Sequence, residues 1–221
     1  DTVAVYSGSY YEELNITQDI LTLIGVNGKA NTILDGLENF RILKIDNGSS
    51  QNIRIITING FTFKKGYKKD ADGNAIYASN LTEINIMNCD IESNLGNPVF
   101  IKDSRIKLNN LNIKSDYTNL IVQTPNGLNV SNSIFSQITN QNSSGAIIGS
   151  NINREILYFY SSTFERGSIV FNGHSGDGGD VRIEKCTFKN YSQSIIEVAN
   201  KIKLAINNSD FRNINTSYNI I

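Results

Sequence analysis

The chain has 221 residues, and its 20 Lys and Arg against 21 Asp and Glu give a formal net charge of -1. Because the basic residues are scattered, this balance argues against a nucleic-acid partner and against binding to an anionic membrane surface. No stretch approaches the roughly 20 apolar residues of a spanning helix, so we also expect no membrane insertion in this segment. Only two Pro and no Gly/Ser-rich linker interrupt the chain, which predicts a single domain over residues 1–221.

Residues 1–40 open the chain with short apolar runs bounded by turn residues. The runs include residues 23–25, Leu-Ile-Gly, and residues 32–36, Thr-Ile-Leu-Asp-Gly. Runs of this length, rich in β-branched residues and bounded by Gly and Asn, are typical of short strands. We therefore expect residues 1–40 to form the initial coils of a β-rich domain and residues 41–221 to form its repeated coils.

From residue 56 onward, one eight-residue phrase occurs seven times: apolar, any, apolar, any, any, small or apolar, any, then Phe or Ile. The copies begin at Ile56, Ile84, Ile106, Leu128, Leu157, Val181 and Leu204, and they end at Phe63, Ile91, Ile113, Phe135, Phe164, Phe188 and Phe211. Successive copies are separated by 22 to 29 residues, which is a period typical of a solenoid coil.

Each period also carries a second apolar cluster before the phrase, such as residues 99–101, Val-Phe-Ile, and residues 120–122, Leu-Ile-Val. Apolar residues two apart lie on one face of a strand, and a period of about 22 residues leaves no room for a crossover helix. Parallel pairing must then come from coiling the chain around an axis. The sequence therefore predicts an all-β fold, a single-stranded right-handed parallel β-helix (solenoid) of about 8–9 coils, and we expect it to be a segment of a longer chain.

The repeat predicts the structural role of two sets of residues. Asn tolerates the left-handed backbone conformation of a sharp bend, and stacked Asn side chains can form a hydrogen-bonded ladder. We expect such a ladder at Asn88, Asn110 and Asn132, with a row of amides that binds a ligand as the alternative. The terminal rings are expected to stack from coil to coil at Phe135, Phe164, Phe188 and Phe211.

The two cysteines fall at the same place in the repeat, four copies apart. At about 4.8 Å per coil, Cys89 and Cys186 would be about 19 Å apart, whereas a disulfide requires α-carbons within about 7 Å. We therefore predict two separate, buried thiols.

Two turn-rich segments contain the candidate ligand-binding residues. Residues 173–180 combine the densest Gly run with the candidate binding residues His174, Asp177 and Asp180, followed by Arg182. Two carboxylates close to an Arg would suit a calcium-dependent site, but Gly and Asp are also the ordinary residues of a surface turn. Both interpretations remain open at this stage.

A second candidate metal site comprises Asp70, Asp72 and Asn74, whose spacing is similar to the start of a calcium loop. Position twelve of such a loop supplies a bidentate Glu, but here it is Leu81. The alternative is a turn that leads into the next strand. We predict no catalytic residue and no required cofactor, with calcium as the one candidate ion.

The N-terminal segment resembles the first coils of the pectin-lyase-like superfamily, whose pectinesterases carry a Gly-x-Tyr-x-Glu element matched here by Gly8, Tyr10 and Glu12. The later coils, with residues 73–77, Gly-Asn-Ala-Ile-Tyr, resemble adhesin-like surface proteins of methanogenic archaea and polymorphic outer-membrane protein repeats. This resemblance implies a non-enzymatic extracellular or cell-surface module for adhesion, or a structural segment of a surface fibre. Its implied partners are glycans, cell-surface proteins or further copies joined end to end or laterally.

The alternative function is a polysaccharide-active lyase or hydrolase of the pectate or pectin type. The catalytic motifs of the pectinesterases do not occur in this sequence, and the chain contains no Trp. A cluster of two or three carboxylates in one groove beside an Arg or Lys would favour this alternative. For the adhesive function, we expect the contact residues in the long excursions at residues 67–72, 140–144 and 174–180, because loops vary while coils are constrained.

Overall fold

The structure is a computed structural model that describes residues 1–46, 52–138, 146–174, 178–191 and 194–214. Within these ranges the chain forms 26 short strands and no helix. The strands make three parallel sheets, because every third strand along the chain pairs with its equivalent in the next coil. The described residues form eight complete coils and two strands of a ninth, so the predicted parallel β-helix is confirmed.

The three sheets are named A, B and C in the order in which the chain enters them. Sheet A contains β1 Thr2–Val5, β4 Ile20–Gly25, β7 Ile55–Asn59, β10 Glu83–Met87, β13 Arg105–Asn109, β16 Leu128–Ser131, β19 Ile156–Tyr160, β22 Asp180–Glu184 and β25 Lys203–Asn207. Sheet B contains β2 Gly8–Tyr10, β5 Thr32–Asp35, β8 Thr62–Lys64, β11 Asp90–Glu92, β14 Asn112–Ser115, β17 Ile134–Gln137, β20 Thr163–Glu165, β23 Thr187–Tyr191 and β26 Asp210–Ile214. Sheet C contains β3 Leu14–Ile16, β6 Leu43–Ile45, β9 Ile76–Ser79, β12 Val99–Lys102, β15 Leu120–Gln123, β18 Ile147–Ile152, β21 Ile169–Gly173 and β24 Ile196–Ala199.

The eight-residue phrase spans a sheet A strand, a two-residue bend and the start of a sheet B strand. Ile84 pairs with Ile56 on one side and with Ile106 on the other. In the same way, Ile91 pairs with Phe63 on one side and with Ile113 on the other. Apolar side chains at these positions point into the coil and are buried. The predicted register is therefore confirmed, and like residues lie above like along one continuous core.

The bend inside each phrase has a left-handed backbone at the predicted position. All seven residues three places before the terminal Phe or Ile have positive φ: Gly60, Asn88, Asn110, Asn132, Ser161, Lys185 and Asn208, with φ between 46° and 84°. Asn110 Nδ2 donates to Asn88 Oδ1 at 2.7 Å, and Asn88 Nδ2 donates to Asn59 Oδ1 at 2.8 Å. These two hydrogen bonds link the coils of Asn59, Asn88 and Asn110 at the corner between sheets A and B. Asn132, the third predicted member of the ladder, makes no such side-chain hydrogen bond in the described part of the chain.

The terminal rings stack along the axis inside sheet B. The centroids of Phe135 and Phe164 are 5.4 Å apart, those of Phe164 and Phe188 are 5.1 Å apart, and those of Phe188 and Phe211 are 5.0 Å apart, with interplanar angles of 11° to 18°. Offset stacks at this spacing add dispersion and quadrupole energy to the burial of apolar area.

The first two coils follow the same register although they lack the phrase. Leu21 pairs with Ile56, Leu23 pairs with Ile58, and Leu34 pairs with Phe63. In the second coil the phrase is interrupted because six residues, 26–31, connect β4 to β5 in place of the usual two-residue bend. Residues 1–46 therefore belong to the same solenoid as the coils that follow.

Both cysteines are buried and free, as predicted. Burial raises the pKa of the Cys89 thiol to about 11, so it stays protonated and unreactive near neutral pH. Cys89 Sγ lies 3.1 Å from the Met87 carbonyl oxygen, which places the thiol inside the bend. Its role is to fill the corner of the core.

Candidate binding groove on the outer face of sheet A

The outer face of sheet A is built by alternation along each strand. In β19, Leu157 and Phe159 point into the core, so Ile156, Tyr158 and Tyr160 point outward. The register then places Tyr158 beside Arg182 of β22. Side chains that are 24 residues apart in the sequence thereby meet on one flat surface.

A groove of about 480 Å³ runs across this surface. It is lined by residues of β19, β22 and β25, namely Ile156, Tyr158, Arg182, Ile183, Glu184 and Asn207. A second groove of about 240 Å³ shares Ile156 and Tyr158 and extends over β13 and β16, where Lys107 and Asn129 line it. The two grooves together form a shallow, aromatic and polar track across five successive coils.

Hydrogen bonds hold Tyr158 of the groove and the neighbouring Tyr160 in place. Tyr158 Oη donates to Glu184 Oε2 at 2.7 Å, and Lys185 Nζ donates to Tyr160 Oη at 2.9 Å. The ring centroids of Tyr158 and Tyr160 are 6.1 Å apart with an interplanar angle of 28°. Lys185 also lies 4.9 Å from the Tyr160 ring centroid, so its ammonium forms a cation–π contact.

These contacts shift the acidity of the two phenols in opposite directions. The hydrogen bond to the Glu184 carboxylate raises the pKa of Tyr158, whereas the hydrogen bond from the Lys185 ammonium lowers the pKa of Tyr160. Tyr158 is thus a neutral donor, and the Tyr160 oxygen is an acceptor beside a positive charge. The groove offers donors, acceptors and aromatic surface over the width of one strand pair.

The predicted binding segment lies only partly in this groove. Asp180 and Arg182 belong to strand β22 rather than to an inserted loop, and Arg182 Nη2 lies 3.3 Å from Asp180 Oδ2. His174 follows β21, and its backbone amide donates to the Ile152 carbonyl at 2.8 Å. Asp177 lies outside the described residues. The structure therefore places Arg182 in the groove, with Asp180 as its ion-pair partner.

The predicted metal segment connects β8 to β9 and is fastened to neighbouring coils. Asp72 Oδ1 accepts a hydrogen bond from Asn97 Nδ2 at 2.7 Å, and the Asp72 carbonyl accepts one from Arg41 Nη2 at 2.8 Å. Asn74 is buried and donates to the Leu95 carbonyl, while Asp70 occupies a left-handed turn with φ 55°. Asp72 and Asn74 thus hold the turn into β9 in place.

The described residues contain no group of three or more His, Cys, Asp and Glu side chains that could hold a metal ion. Of the three long excursions expected to carry contacts, residues 67–72 are described. Residues 140–144 lie outside the described residues, as do residues 175–177 of the third excursion.

Sequence reasoning missed three residues that line the groove beside Arg182, namely Tyr158, Glu184 and Asn207. The signal was present in the repeat itself. Tyr158 and Arg182 occupy the second position of successive phrases, which is an outward position, so the register alone predicts that they are neighbours. Binding residues usually lie in loops, whereas here the candidate residues lie on the flat outer face of a sheet.

No family model matches the chain, and comparisons with the curated proteins and with the solved structures give no significant match. Among the described residues, no helix is long and apolar enough to cross a membrane.

Proposed function

We propose that this chain is a non-enzymatic β-helix module of an extracellular or cell-surface protein, and that it acts in adhesion by binding glycans along the outer face of sheet A. The observation that carries the proposal is the groove of about 480 Å³ in which Tyr158, Arg182, Glu184 and Asn207 lie side by side. Tyrosine offers an apolar ring with a polar end, which suits the mixed surface of a sugar.

The polar groups of the groove match the hydroxyls of a sugar ring. Arg182 supplies several N–H donors, Glu184 supplies acceptor oxygens, and Asn207 supplies both. The groove is open and shallow, which favours weak contacts with successive units of a polymer over tight enclosure of one small molecule. Weak contacts repeated along a rod become strong by multivalency.

The charged groups of the groove are paired with neighbours. Glu184 accepts from Tyr158 at 2.7 Å, and Asp180 pairs with Arg182 at 3.3 Å. A glycosidase requires two carboxyl groups, of which one is an acid with a raised pKa. The pairing of these carboxylates supports binding as the proposed role.

The resemblance of residues 8–12 to the first coils of pectin-lyase-like proteins, and of the later coils to adhesin-like surface proteins of methanogenic archaea, supports an extracellular setting. A shared fold does not transfer a reaction. The proposed adhesive role therefore depends on the groove, and the resemblance adds the expected location and the class of ligand.

A glycan array probed with the labelled chain tests this proposal, with Tyr158→Ala and Arg182→Ala as variants. Thr163→Ala is the matched control, because Thr163 points outward from sheet B, away from the groove. We expect both groove variants to lose at least tenfold in affinity for the glycans that the wild type and the control bind. Equal binding by all four proteins would contradict the proposal that the groove binds glycans. Release of reducing or unsaturated ends from a bound polysaccharide would instead indicate the lyase or hydrolase.

A further inference from the structure

The outer face of sheet C carries an apolar column that the proposed groove does not use. Register places one outward residue of each coil in a single line along the axis. In coil order the line contains Lys44, Tyr77, Phe100, Ile121, Ile148, Val170 and Glu197. Five consecutive apolar side chains, here called the sheet C stripe, thus separate a cation from an anion. At about 4.8 Å per coil the stripe is about 19 Å long.

The other two sheets have different outer faces. The equivalent central line of sheet A contains, in coil order, Thr22, Thr57, Asn85, Lys107, Asn129, Tyr158, Arg182 and Ala205. That of sheet B contains Ser9, Ile33, Thr62, Asp90, Asn112, Ile134, Thr163, Thr187 and Asp210. Both lines are mostly polar and neither has two apolar side chains in succession, as expected of a sheet that faces water. Parallel sheets that are apolar on both faces are covered on both faces, so the sheet C stripe requires a covering that sheets A and B do not.

The aromatic end of the stripe has a defined arrangement. The rings of Tyr77 and Phe100 stack with centroids 5.4 Å apart and an interplanar angle of 9°. Arg41 covers the end of this stack, with its guanidinium carbon 4.6 Å from the Tyr77 centroid. Arg41 is itself buried and donates to the Gly73 and Asp72 carbonyls. The stack therefore presents its ring edges outward as a fixed surface.

The order of residues along the stripe is self-complementary. A two-fold axis through Ile121 exchanges Lys44 with Glu197, Tyr77 with Val170, and Phe100 with Ile148. Two copies laid antiparallel would therefore bring an aromatic ring against an aliphatic side chain at four of the five apolar levels, and Ile121 against its own copy at the axis. The same operation places each Lys44 opposite a Glu197 of the other copy, once at each end.

The two end charges are available for such pairing. Glu197 is exposed and forms no ion pair with any other residue in the described part of the chain. Lys44 Nζ lies 3.9 Å from Asp46 Oδ2, and its side chain is 40% exposed. A contact this long at the surface contributes little, so Lys44 can turn toward an opposing carboxylate at small cost.

We propose that the sheet C stripe is a homodimer interface in which a second copy packs antiparallel about a two-fold axis at Ile121. The interface is isologous, as in most homodimers. It buries the one apolar outer column of the three sheets and pairs Lys44 with Glu197 of the second copy at both ends. The sheet A grooves of both copies remain uncovered, so the dimer does not depend on the glycan-binding function.

Sedimentation velocity across a concentration series tests the interface with charge-reversal variants. Lys44→Glu and Glu197→Lys each replace two attractive pairs by two repulsive ones, so we expect each to weaken dimerisation roughly tenfold or more. The double variant Lys44→Glu/Glu197→Lys restores both pairs and is expected to dimerise like the wild type. Lys203→Glu on sheet A is the control and is expected to leave the dimer unchanged.

A substitution in the apolar part of the stripe tests the same interface at its axis. Ile121→Asp places a carboxylate directly opposite another at the two-fold axis, and we expect a monomer whose far-ultraviolet circular dichroism matches that of the wild type. A wild-type chain that remains monomeric up to its solubility limit would overturn the proposal. A dimer that survives Ile121→Asp, or a double charge reversal that fails to restore dimerisation, would overturn it equally.

Discussion

Replacement of Phe164 tests the stacked core most directly. Its ring is fully buried and touches three others, with centroids 5.4 Å from Phe135, 5.1 Å from Phe188 and 5.9 Å from Phe159. Phe164→Ala removes the whole ring from a packed site, and such substitutions cost about 3 to 5 kcal/mol. We expect a decrease of that size in the free energy of unfolding, measured by urea denaturation with circular dichroism.

Two further substitutions separate the ring contacts from simple burial. Phe164→Leu keeps an apolar side chain but loses three ring pairs worth about 0.5 to 1.5 kcal/mol each, and partial compensation by packing reduces the expected cost to about 1 to 3 kcal/mol. Thr163→Ala, on the outer face of the same strand, is the control and should change stability by less than about 0.5 kcal/mol.

Hydrogen exchange shows whether the effect is local. In a solenoid each coil contacts only its neighbours, so Phe164→Ala should reduce amide protection most in β17, β20 and β23. A cost no larger than that of Thr163→Ala would refute the stacked register. Uniform loss of protection along the whole rod would refute the nearest-neighbour account of its stability.

Three other predictions concern the bend, the thiol and one ion pair. Asn110→Ala should cost about 1 to 2 kcal/mol in the free energy of unfolding, because it loses the hydrogen bond to Asn88 and strains a left-handed residue. Asn110→Gly should cost less, because Gly adopts the left-handed conformation without strain. A larger cost for Gly than for Ala would contradict a left-handed backbone at this bend. Cys89, whose pKa burial raises to about 11, should resist iodoacetamide near neutral pH in the folded protein and react once urea unfolds it. The hydrogen bond from Lys107, 2.7 Å away, lowers the pKa of Glu83. The contribution of this pair to the free energy of unfolding should be fully present above the ordinary carboxyl pKa. It should be lost as the pH falls through the lower pKa that Glu83 has in the folded protein. Glu83→Gln should flatten that part of the pH–stability profile, and an unchanged profile would contradict the assignment.

The repeat allowed the fold and the direction of most core side chains to be predicted. Apolar residues two apart fix one face of a strand, and seven copies in one register leave a coil as the only parallel arrangement. The bend could also be predicted, because few residues other than Gly and Asn tolerate a left-handed backbone. Lys185 at φ 53° is an exception that composition alone would not indicate.

The candidate sites required the tertiary structure. Tyr158, Arg182 and Asn207 belong to three different coils and meet only because the strands pair side by side. The sheet C stripe takes the middle residue of runs such as residues 99–101 and 120–122, whose length and composition predict strands. Three apolar residues in a row place one side chain on the outer face, and the pairing of coils decides which of these side chains lie in one line.

The inward pattern follows from the amino-acid order alone, because burial of an apolar side chain depends on its own position in the strand. The outward pattern depends on neighbours contributed by other coils, and the connections between sheets vary in length from coil to coil. Only the folded register could bring Lys44 and Glu197 to opposite ends of one apolar line, because that line joins seven coils and follows no segment of the chain.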